Sequence, residues 1–308
     1  VLCLAGPSAD GALVASGCYD NRVRLWRAAD LQLVATLDGH QGSVRALAFG
    51  PAGGAAAALL ASAAEDHTVR LWRHREAAAL HAFTQPRAPL ISVSFYRDGQ
   101  ALLASDDAGS LFIWDVAVRE LRVKLALDSP VFGGIAIPAN DSRLFSAHRD
   151  STLRLWTLPE PANDGRRGRT LQTGAPPPSD LSAPVPVALV QASRSLVETL
   201  ALDAKDGRFV ATGADDGFIL LWDGFSLDPI SRIAGHKSWV LSLRFDASCT
   251  LLASASKDGE VSLWQFPSLE CRQVFKLGSA AQALCFLPAA AEGSPQAQDT
   301  NQESLSLD

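Results

Sequence analysis

Residues 240–277 read VLSLRFDASCTLLASASKDGEVSLWQFPSLECRQVFKL, and this stretch decides the fold. It contains four short runs rich in apolar residues, VLSLRF, LLASAS, EVSLWQF and CRQVFKL, each six or seven residues long. Turn-forming Asp, Ser, Gly and Pro residues separate these runs. Short runs between turn signals are typical of β-strands joined in a meander. The stretch therefore predicts one four-stranded antiparallel sheet.

The third run recurs along the chain and ends each time in tryptophan. The six copies are NRVRLW ending at Trp26, HTVRLW at Trp72, GSLFIW at Trp114, STLRLW at Trp156, GFILLW at Trp222 and GEVSLW at Trp264. Successive tryptophans are 46, 42, 42, 66 and 42 residues apart. A nearly fixed period of this size indicates a repeat protein, and four strands per period is the composition of a propeller blade. We therefore expect an all-β propeller built from four-stranded antiparallel blades.

Polar residues stand at fixed distances before these tryptophans. Two units carry the full set, namely Gly39-His40, Ser62, Asp66 and Trp72, and Gly235-His236, Ser254, Asp258 and Trp264. With these residues the chain resembles the WD-repeat, or transducin beta-like, β-propeller proteins over nearly its whole length. The resemblance implies that the His, Ser, Asp and Trp side chains form a hydrogen-bond network inside each blade. Because the set recurs from blade to blade, we interpret it as structural and predict no catalytic site.

The number of units predicts how the ring closes. Six units are complete, and AQALCFLP (281–288) and the initial VLCLAG both match a first strand. Propellers commonly close by completing one blade from both termini, because an open end leaves unpaired strand edges. We expect seven blades, three strands of the last lying upstream in a longer protein, since the chain contains no methionine. A six-bladed ring with a surplus strand is the alternative.

Two segments depart from the repeat. We expect one propeller domain over residues 1–288 and a disordered acidic tail over 289–308, which is rich in Ala, Gln, Ser and Glu. The 66-residue interval indicates an insertion in the fourth unit. With RGRTLQTG (167–174) as the fourth strand, the insertion is a proline-rich loop over 174–193, on the face that carries the Gly-His turns. It is either a loop without function or a partner-binding loop.

The resemblance also implies where partners bind. WD-repeat propellers bind peptides or proteins on the top face, which is lined by residues just before the aspartate of the turn between the second and third strands. These candidate residues are Tyr19, Glu65, Arg149, Asp215 and Lys257, with Asp107 at the corresponding place in the third unit, where Ala108 replaces the aspartate. Trp239 is a further candidate, because the repeat does not require an aromatic there and tryptophan is favoured at interfaces. The alternative is that Trp239 only covers the edge of its blade.

Composition narrows the class of function. No apolar run approaches 18 residues, and the five cysteines lack metal-binding spacing, which is typical of a reducing compartment. We therefore expect an intracellular protein, cytoplasmic or nuclear, without cofactor, metal, membrane or small-molecule substrate. The net charge is −6, four of the acidic residues lie in the last twenty positions, and the rest of the chain is nearly balanced. This balance argues against a general nucleic-acid surface.

The expected function is a non-catalytic scaffold that binds protein or peptide partners and helps assemble a multiprotein complex. The alternative is an RNA-associated subunit of an RNA-processing or RNA-decay complex, with Arg166, Arg167 and Arg169 as its basic cluster. Within the family, GHKSWVLSLRF resembles the WD-repeat subunit of the superkiller complex. The run from SVSFYRDGQ to STLRLW resembles WD-repeat proteins of the small-subunit processome.

Overall fold

A computed structural model describes residues 1–96, 98–127, 129–137, 142–158, 185–203 and 207–287. Over these ranges the chain forms 24 strands in six four-stranded antiparallel sheets, each a meander in chain order. One short 3-10 helix, Ala55–Ala58, lies between two strands of the second sheet. Within the same ranges no helix has the length and apolar character that crossing a membrane requires. The predicted all-β propeller with six complete blades is confirmed.

Each blade consists of strands a to d in chain order. Blades 1 to 3 contain β1 (Cys3–Ala5), β2 (Leu13–Gly17), β3 (Val23–Arg27), β4 (Leu33–Leu37), β5 (Val44–Phe49), β6 (Leu59–Ala64), β7 (Val69–Arg73), β8 (Ala78–Phe83), β9 (Leu90–Tyr96), β10 (Ala101–Asp106), β11 (Ser110–Asp115) and β12 (Glu120–Ala126). Blades 4 to 6 contain β13 (Val131–Ala136), β14 (Arg143–His148), β15 (Thr152–Thr157), β16 (Val185–Gln191), β17 (Val197–Leu202), β18 (Phe209–Ala214), β19 (Phe218–Asp223), β20 (Pro229–Ala234), β21 (Val240–Phe245), β22 (Leu251–Ser256), β23 (Glu260–Gln265) and β24 (Glu270–Lys276). Strand a of each blade contacts strand a of the next, so the a strands are innermost.

Blades are joined through apolar faces. In the first interface Val23, Leu25 and Leu37 of blade 1 pack against Leu60 and Trp72 of blade 2, and all five are buried. Alternate residues of a strand point to opposite faces of the sheet, so each blade offers one apolar face to each neighbour. The repeated tryptophan lies on the face toward the preceding blade.

A polar network fixes each tryptophan. In blade 2 the Trp72 Nε1–H donates to Ser62 Oγ at 2.8 Å, and Ser62 Oγ lies 2.6 Å from His40 Nε2. His40 Nδ1 donates to Asp66 Oδ2 at 2.9 Å, in the turn between strands b and c. The side chains of His236, Ser254, Asp258 and Trp264 repeat this arrangement in blade 6. Each network ties the connection that enters a blade to its b–c turn.

Blades 3 and 4 depart from this arrangement, blade 3 in the acceptor of its tryptophan and blade 4 in the position of its histidine. In blade 3, where Ala104 replaces the serine, Trp114 Nε1–H donates to Gln85 Oε1 at 3.1 Å. In blade 4 the buried His148 lies 2.7 Å from Ser146 Oγ, which accepts from Trp156 Nε1. A buried indole N–H without an acceptor is costly, so a different side chain is recruited in blade 3.

The position of the insertion was predicted wrongly. Strand d of blade 4 is β16 (Val185–Gln191), which pairs with β15 through Leu153↔Val190 and Leu155↔Ala188. The prediction of 167–174 as this strand is therefore wrong, and the predicted loop 174–193 includes β16. Its proline is tolerated because β16 is the outermost strand of its sheet, where one edge makes no ladder hydrogen bonds.

The predicted position of the insertion, between strand d and the next strand a, is also wrong. The extra residues come between strand c, β15, and strand d, β16, in the sequence. Residues 159–184, with the arginine cluster at 166–169, and residues 288–308, with the predicted tail, lie outside the described ranges. The six full blades are established, and the seventh stays a prediction: residues 281–287 belong to none of the six sheets.

The serine of the network has a testable role. Ser62→Ala removes the partner of Trp72 Nε1 and His40 Nε2 inside a fully buried site, so we expect the free energy of unfolding to fall by about 1–3 kcal/mol. Ser105 in blade 3 is the matched control, because it is equally buried and its hydroxyl has no hydrogen-bond partner among the residues that the structure describes. Ser105→Ala should stay within about 0.5 kcal/mol of the parent or exceed it. Equal losses in urea unfolding would contradict the assigned role.

Candidate functional site

The candidate residues before the b–c turn aspartates share one position. Five of them donate their backbone N–H to the carbonyl of the residue just before strand a of the same blade. These bonds are Glu65 to Ser43 (3.0 Å), Asp107 to Pro89 (3.0 Å), Arg149 to Pro130 (2.9 Å), Asp215 to Leu196 (3.0 Å) and Lys257 to Trp239 (2.9 Å). Tyr19 holds the same place in blade 1, with 67% of its surface exposed. The repeat therefore places these side chains at the same end of the ring, here called the top face.

The top face surrounds the mouth of the central channel. A cavity of about 250 Å³ opens there. In blades 2 to 6 the second residue of strand a lines it, and in blade 1 the residue just before strand a does so. Its lining includes Leu2, Arg45, Ile91, Phe132, Glu198, Leu241 and Gln282, together with Tyr19. Sequence inspection missed this inner set. A signal for it was available in the sequence. Strand a begins with a buried apolar residue, such as Val44 or Val240, and the inner position is the residue that follows it.

In two blades the inner side chain contacts the outer one. In blade 2 Arg45 Nη1 lies 3.2 Å from Glu65 Oε1, and in blade 4 the guanidinium of Arg149 lies 6.0 Å from the ring centroid of Phe132. The ion pair is partly exposed and contributes little to stability. Its effect is to orient two long side chains, so the mouth has a defined pattern of charge.

Trp239 is an exposed aromatic residue at this face. The residue is 42% exposed, and Lys257 Nζ lies 3.9 Å from the centroid of its ring. At this distance the ammonium is attracted to the π-face, an interaction worth about 0.5–1 kcal/mol at an exposed site. Trp239 and Lys257 thus present an indole and a cation together on the rim.

Glu198 is the least compensated charge at the mouth. Burial raises the pKa of its carboxyl above the ordinary value, the nearby Asp215 raises it further, and Lys257 offsets part of this effect. Among the described residues no hydrogen bond reaches its carboxylate. The charged form of Glu198 is therefore held at a cost to stability.

The described part of the chain holds no group of three or more His, Cys, Asp or Glu side chains able to bind a metal ion. What the top face offers is an indole, a phenol, two guanidinium groups, an ammonium and several carboxylates around a shallow cavity. Side chains of these kinds can contribute charge complementarity and aromatic contact to an interface.

The raised pKa of Glu198 predicts that the stability of the folded protein depends on pH. A carboxyl whose folded pKa is raised binds its proton more tightly in the folded than in the unfolded protein, so stability falls as the pH rises from the unfolded to the folded pKa. Glu198→Gln should therefore raise the midpoint of thermal unfolding at pH 7 and change it less at pH 4. Glu65→Gln, which removes a paired carboxylate, is the control and should give no gain at pH 7. A lower midpoint for Glu198→Gln at pH 7 would contradict the assignment.

Comparison with known proteins agrees with this geometry. The profile of the WD domain, G-beta repeat, matches residues 1–27, 31–73, 188–223 and 227–265. The chain is 32% identical to the U3 snoRNP-associated protein-like EMB2271 of Arabidopsis thaliana over 135 residues. This match covers 42% of the chain and 26% of that protein. The chain is 30% identical to the nuclear distribution protein PAC1-2 of Uncinocarpus reesii over 168 residues. This match covers 54% of the chain and 36% of that protein.

A third relative is the COMPASS component SWD3 of Saccharomyces cerevisiae, 24% identical over 202 residues, 62% of the chain and 59% of the relative. The chain thus spans less than two thirds of each of these three proteins. Two of the names refer to different assemblies and the third to nuclear distribution, and the resemblance to any one subfamily is weak. Six four-stranded blades, the repeated tryptophan networks and the matched repeats show that the chain belongs to the WD-repeat β-propeller family.

Proposed function

We propose that this protein is a non-catalytic scaffold that binds a protein or peptide partner on its top face and so helps assemble a multiprotein complex. One observation carries the proposal: the same backbone hydrogen bond holds five turn residues in equivalent places, yet their side chains are Glu, Asp, Arg, Asp and Lys. In blades 2 and 6 the neighbouring aspartates form the hydrogen bonds of the blade network, and the side chain at these positions takes no part in it. Side chains without a structural task can serve recognition.

Trp239 is the proposed anchor of the interface. Tryptophan contributes a large contact area with little conformational entropy to lose, and it is enriched among residues that dominate binding energy. Lys257 already contacts one face of the indole. Because this contact restricts the side chain before binding, less conformational entropy is lost when a partner binds. The exposed remainder of the ring is then available to an apolar side chain of the partner.

Charge makes the proposed surface selective. Glu198 and Asp215 place two carboxylates at blade 5, while Arg149 extends over Phe132 at the neighbouring blade 4. A partner with a basic group facing blade 5 and an acidic group facing blade 4 would complement both. Complementary charge of this kind mainly raises association rates and excludes wrong partners.

The relatives support the general class of function. One is named as a component of COMPASS and one as associated with U3 snoRNP, so WD-repeat proteins similar to this chain are named as parts of assemblies. All five cysteines of the chain are free thiols, which fits an intracellular protein, cytoplasmic or nuclear. No cofactor or small-molecule substrate is part of the proposal.

Loss of the rim side chains should abolish partner capture. In Trp239→Ala/Arg149→Ala/Lys257→Ala an aromatic anchor and two cations are lost, so we expect co-purified proteins to fall at least about tenfold, as for 1.4 kcal/mol or more of binding energy. Quantitative mass spectrometry of affinity-purified protein from cells measures this.

The matched control removes the same chemistry from the opposite face. Phe225→Ala/Arg73→Ala/Arg75→Ala also deletes one exposed aromatic and two partly exposed arginines, all at or beside c–d turns. It should retain the partners, with circular dichroism showing both triple variants folded. Full retention by the rim variant, or equal loss in the control, would overturn the proposed site.

RNA association is the alternative function, supported by the relative named for U3 snoRNP. Its proposed cluster, Arg166, Arg167 and Arg169, lies outside the described residues. Contacts to phosphates release counterions, so genuine RNA binding weakens steeply with salt. We expect filter binding with single-stranded RNA to show no retention at 150 mM salt. Retention that falls linearly with log salt, and is lost on Arg166→Ala/Arg167→Ala/Arg169→Ala, would favour the RNA-associated function instead.

A further inference from the structure

Strand a carries a β-bulge in each of blades 2 to 6, and the bulge residue lines the cavity at the channel mouth. In blade 5 Val197 pairs with Ala214 and Thr199 with Gly213, so Glu198 lies between them outside the ladder. Blades 2, 3 and 6 each leave one residue of strand a out of the ladder in the same way. A bulge bends its strand and re-aims the extra side chain. The bulge residues that line the cavity are Arg45, Ile91, Phe132, Glu198 and Leu241.

The bulge of blade 4 is larger and opens space next to Glu198. Two residues rather than one lie outside the ladder between Val131 and Gly134. The second of them is Gly133, where a Cβ would lie 2.8 Å from the carbonyl oxygen of Val197, the residue before Glu198. Gly134 has a φ of +98°, a conformation that favours glycine. Both glycines line the cavity, so its wall beside Glu198 lacks two side chains.

The cavity contains one charge without a partner. Arg45 is paired, since its Nη1 lies 3.2 Å from Glu65 Oε1. Burial raises the pKa of Glu198, and among the described residues no hydrogen bond or ion pair reaches its carboxylate. Lys257 acts on Glu198 only at a distance, because its ammonium lies 3.9 Å from the ring centroid of Trp239. The unsatisfied group in the cavity is therefore an acceptor with a negative charge.

Size and chemistry limit what could satisfy this carboxylate. The volume of about 250 Å³ lies just below the range of about 300–1,000 Å³ that is typical of small-molecule pockets. Divalent cations such as Ca²⁺ require about six or more oxygen ligands, and among the described residues that line the cavity Glu198 alone carries a carboxylate. A basic side chain fits both limits, because its aliphatic stem packs on apolar surface while its head remains polar.

We propose that this cavity receives one basic side chain, arginine or lysine, of the partner that binds the top face, and that Glu198 pairs with its charge. The stem of that side chain contacts the apolar wall formed by Ile91, Phe132 and Leu241. A guanidinium can in addition pair with both carboxylate oxygens and stack on an aromatic ring. The inference rests on the proposed function for the face on which the partner lies, and its first test does not require the partner.

Probe binding provides that test. The Nα-acetyl methylamides of arginine, lysine and citrulline are titrated into the 308-residue chain at constant ionic strength, and amide shifts are followed by NMR. Citrulline has the shape of arginine without its charge. We expect saturable shifts at 132–134 and 197–199 with a cationic probe, and at least about tenfold weaker binding of citrulline, because the charged hydrogen bonds are lost. Glu198→Gln should weaken the cationic probe by the same factor.

Glu120→Gln is the matched control. It removes the same charge from an exposed position at the start of strand d of blade 3, so the affinity for the probes should not change. Glu198→Gln removes a carboxylate that burial disfavours, so circular dichroism should show both variants folded. Equal binding of citrulline and the cationic probes, or undiminished binding of the cationic probes to Glu198→Gln, would overturn the inference.

Partner capture separates this inference from the proposed function. In affinity purification Glu198→Gln should lower the recovery of partners at least about tenfold, as for the loss of a charged hydrogen bond, and Glu120→Gln should not. Full recovery with Glu198→Gln, while the rim variant loses its partners, would overturn the inference and leave the proposed function intact. Loss of partners with Glu198→Gln, while the rim variant retains them, would support the inference and contradict the proposed rim site.

Discussion

The packing of one blade against the next is the interaction on which the rest of the structure depends. A single four-stranded sheet leaves two apolar faces in water, and only neighbours on both sides bury them. Phe83 of blade 2 and Trp114 of blade 3 show this contact, with ring centroids 4.9 Å apart and both rings fully buried. The tryptophan contributes its apolar area to one interface while its N–H is satisfied within its own blade.

Because every blade must pack in the same way, some positions of the repeat have a structural role and others vary from blade to blade. The His, Ser and Asp side chains of blades 2 and 6 are hydrogen-bonded to one another, so the groups that resemble catalytic residues are occupied by the fold. Beside them, five residues at the position before the turn aspartate share one backbone hydrogen bond, while their side chains differ from blade to blade. A rigid ring thereby presents unlike side chains at defined positions, which is the property that a scaffold requires.

The sequence predicted what is periodic and failed where the period is broken. Six tryptophans with their Ser and Asp companions were sufficient to predict six blades, because each unit must solve the same packing problem. Strand β16 was missed because Pro186 in VPVALVQ reads as a loop signal, although an outermost strand tolerates it. Gln85 and Glu198 were missed for a related reason: each is specific to one blade, and its role depends on neighbours distant in sequence.

The proposed function requires that partners bind the end of the ring that carries the b–c turns. Amide exchange of the affinity-purified complex, compared with that of the free protein, measures whether they do. We expect slower exchange around residues 19, 65, 107, 149, 215, 239 and 257, with little change at the c–d turns near 75, 117 and 225. Protection confined to the c–d turns would contradict it.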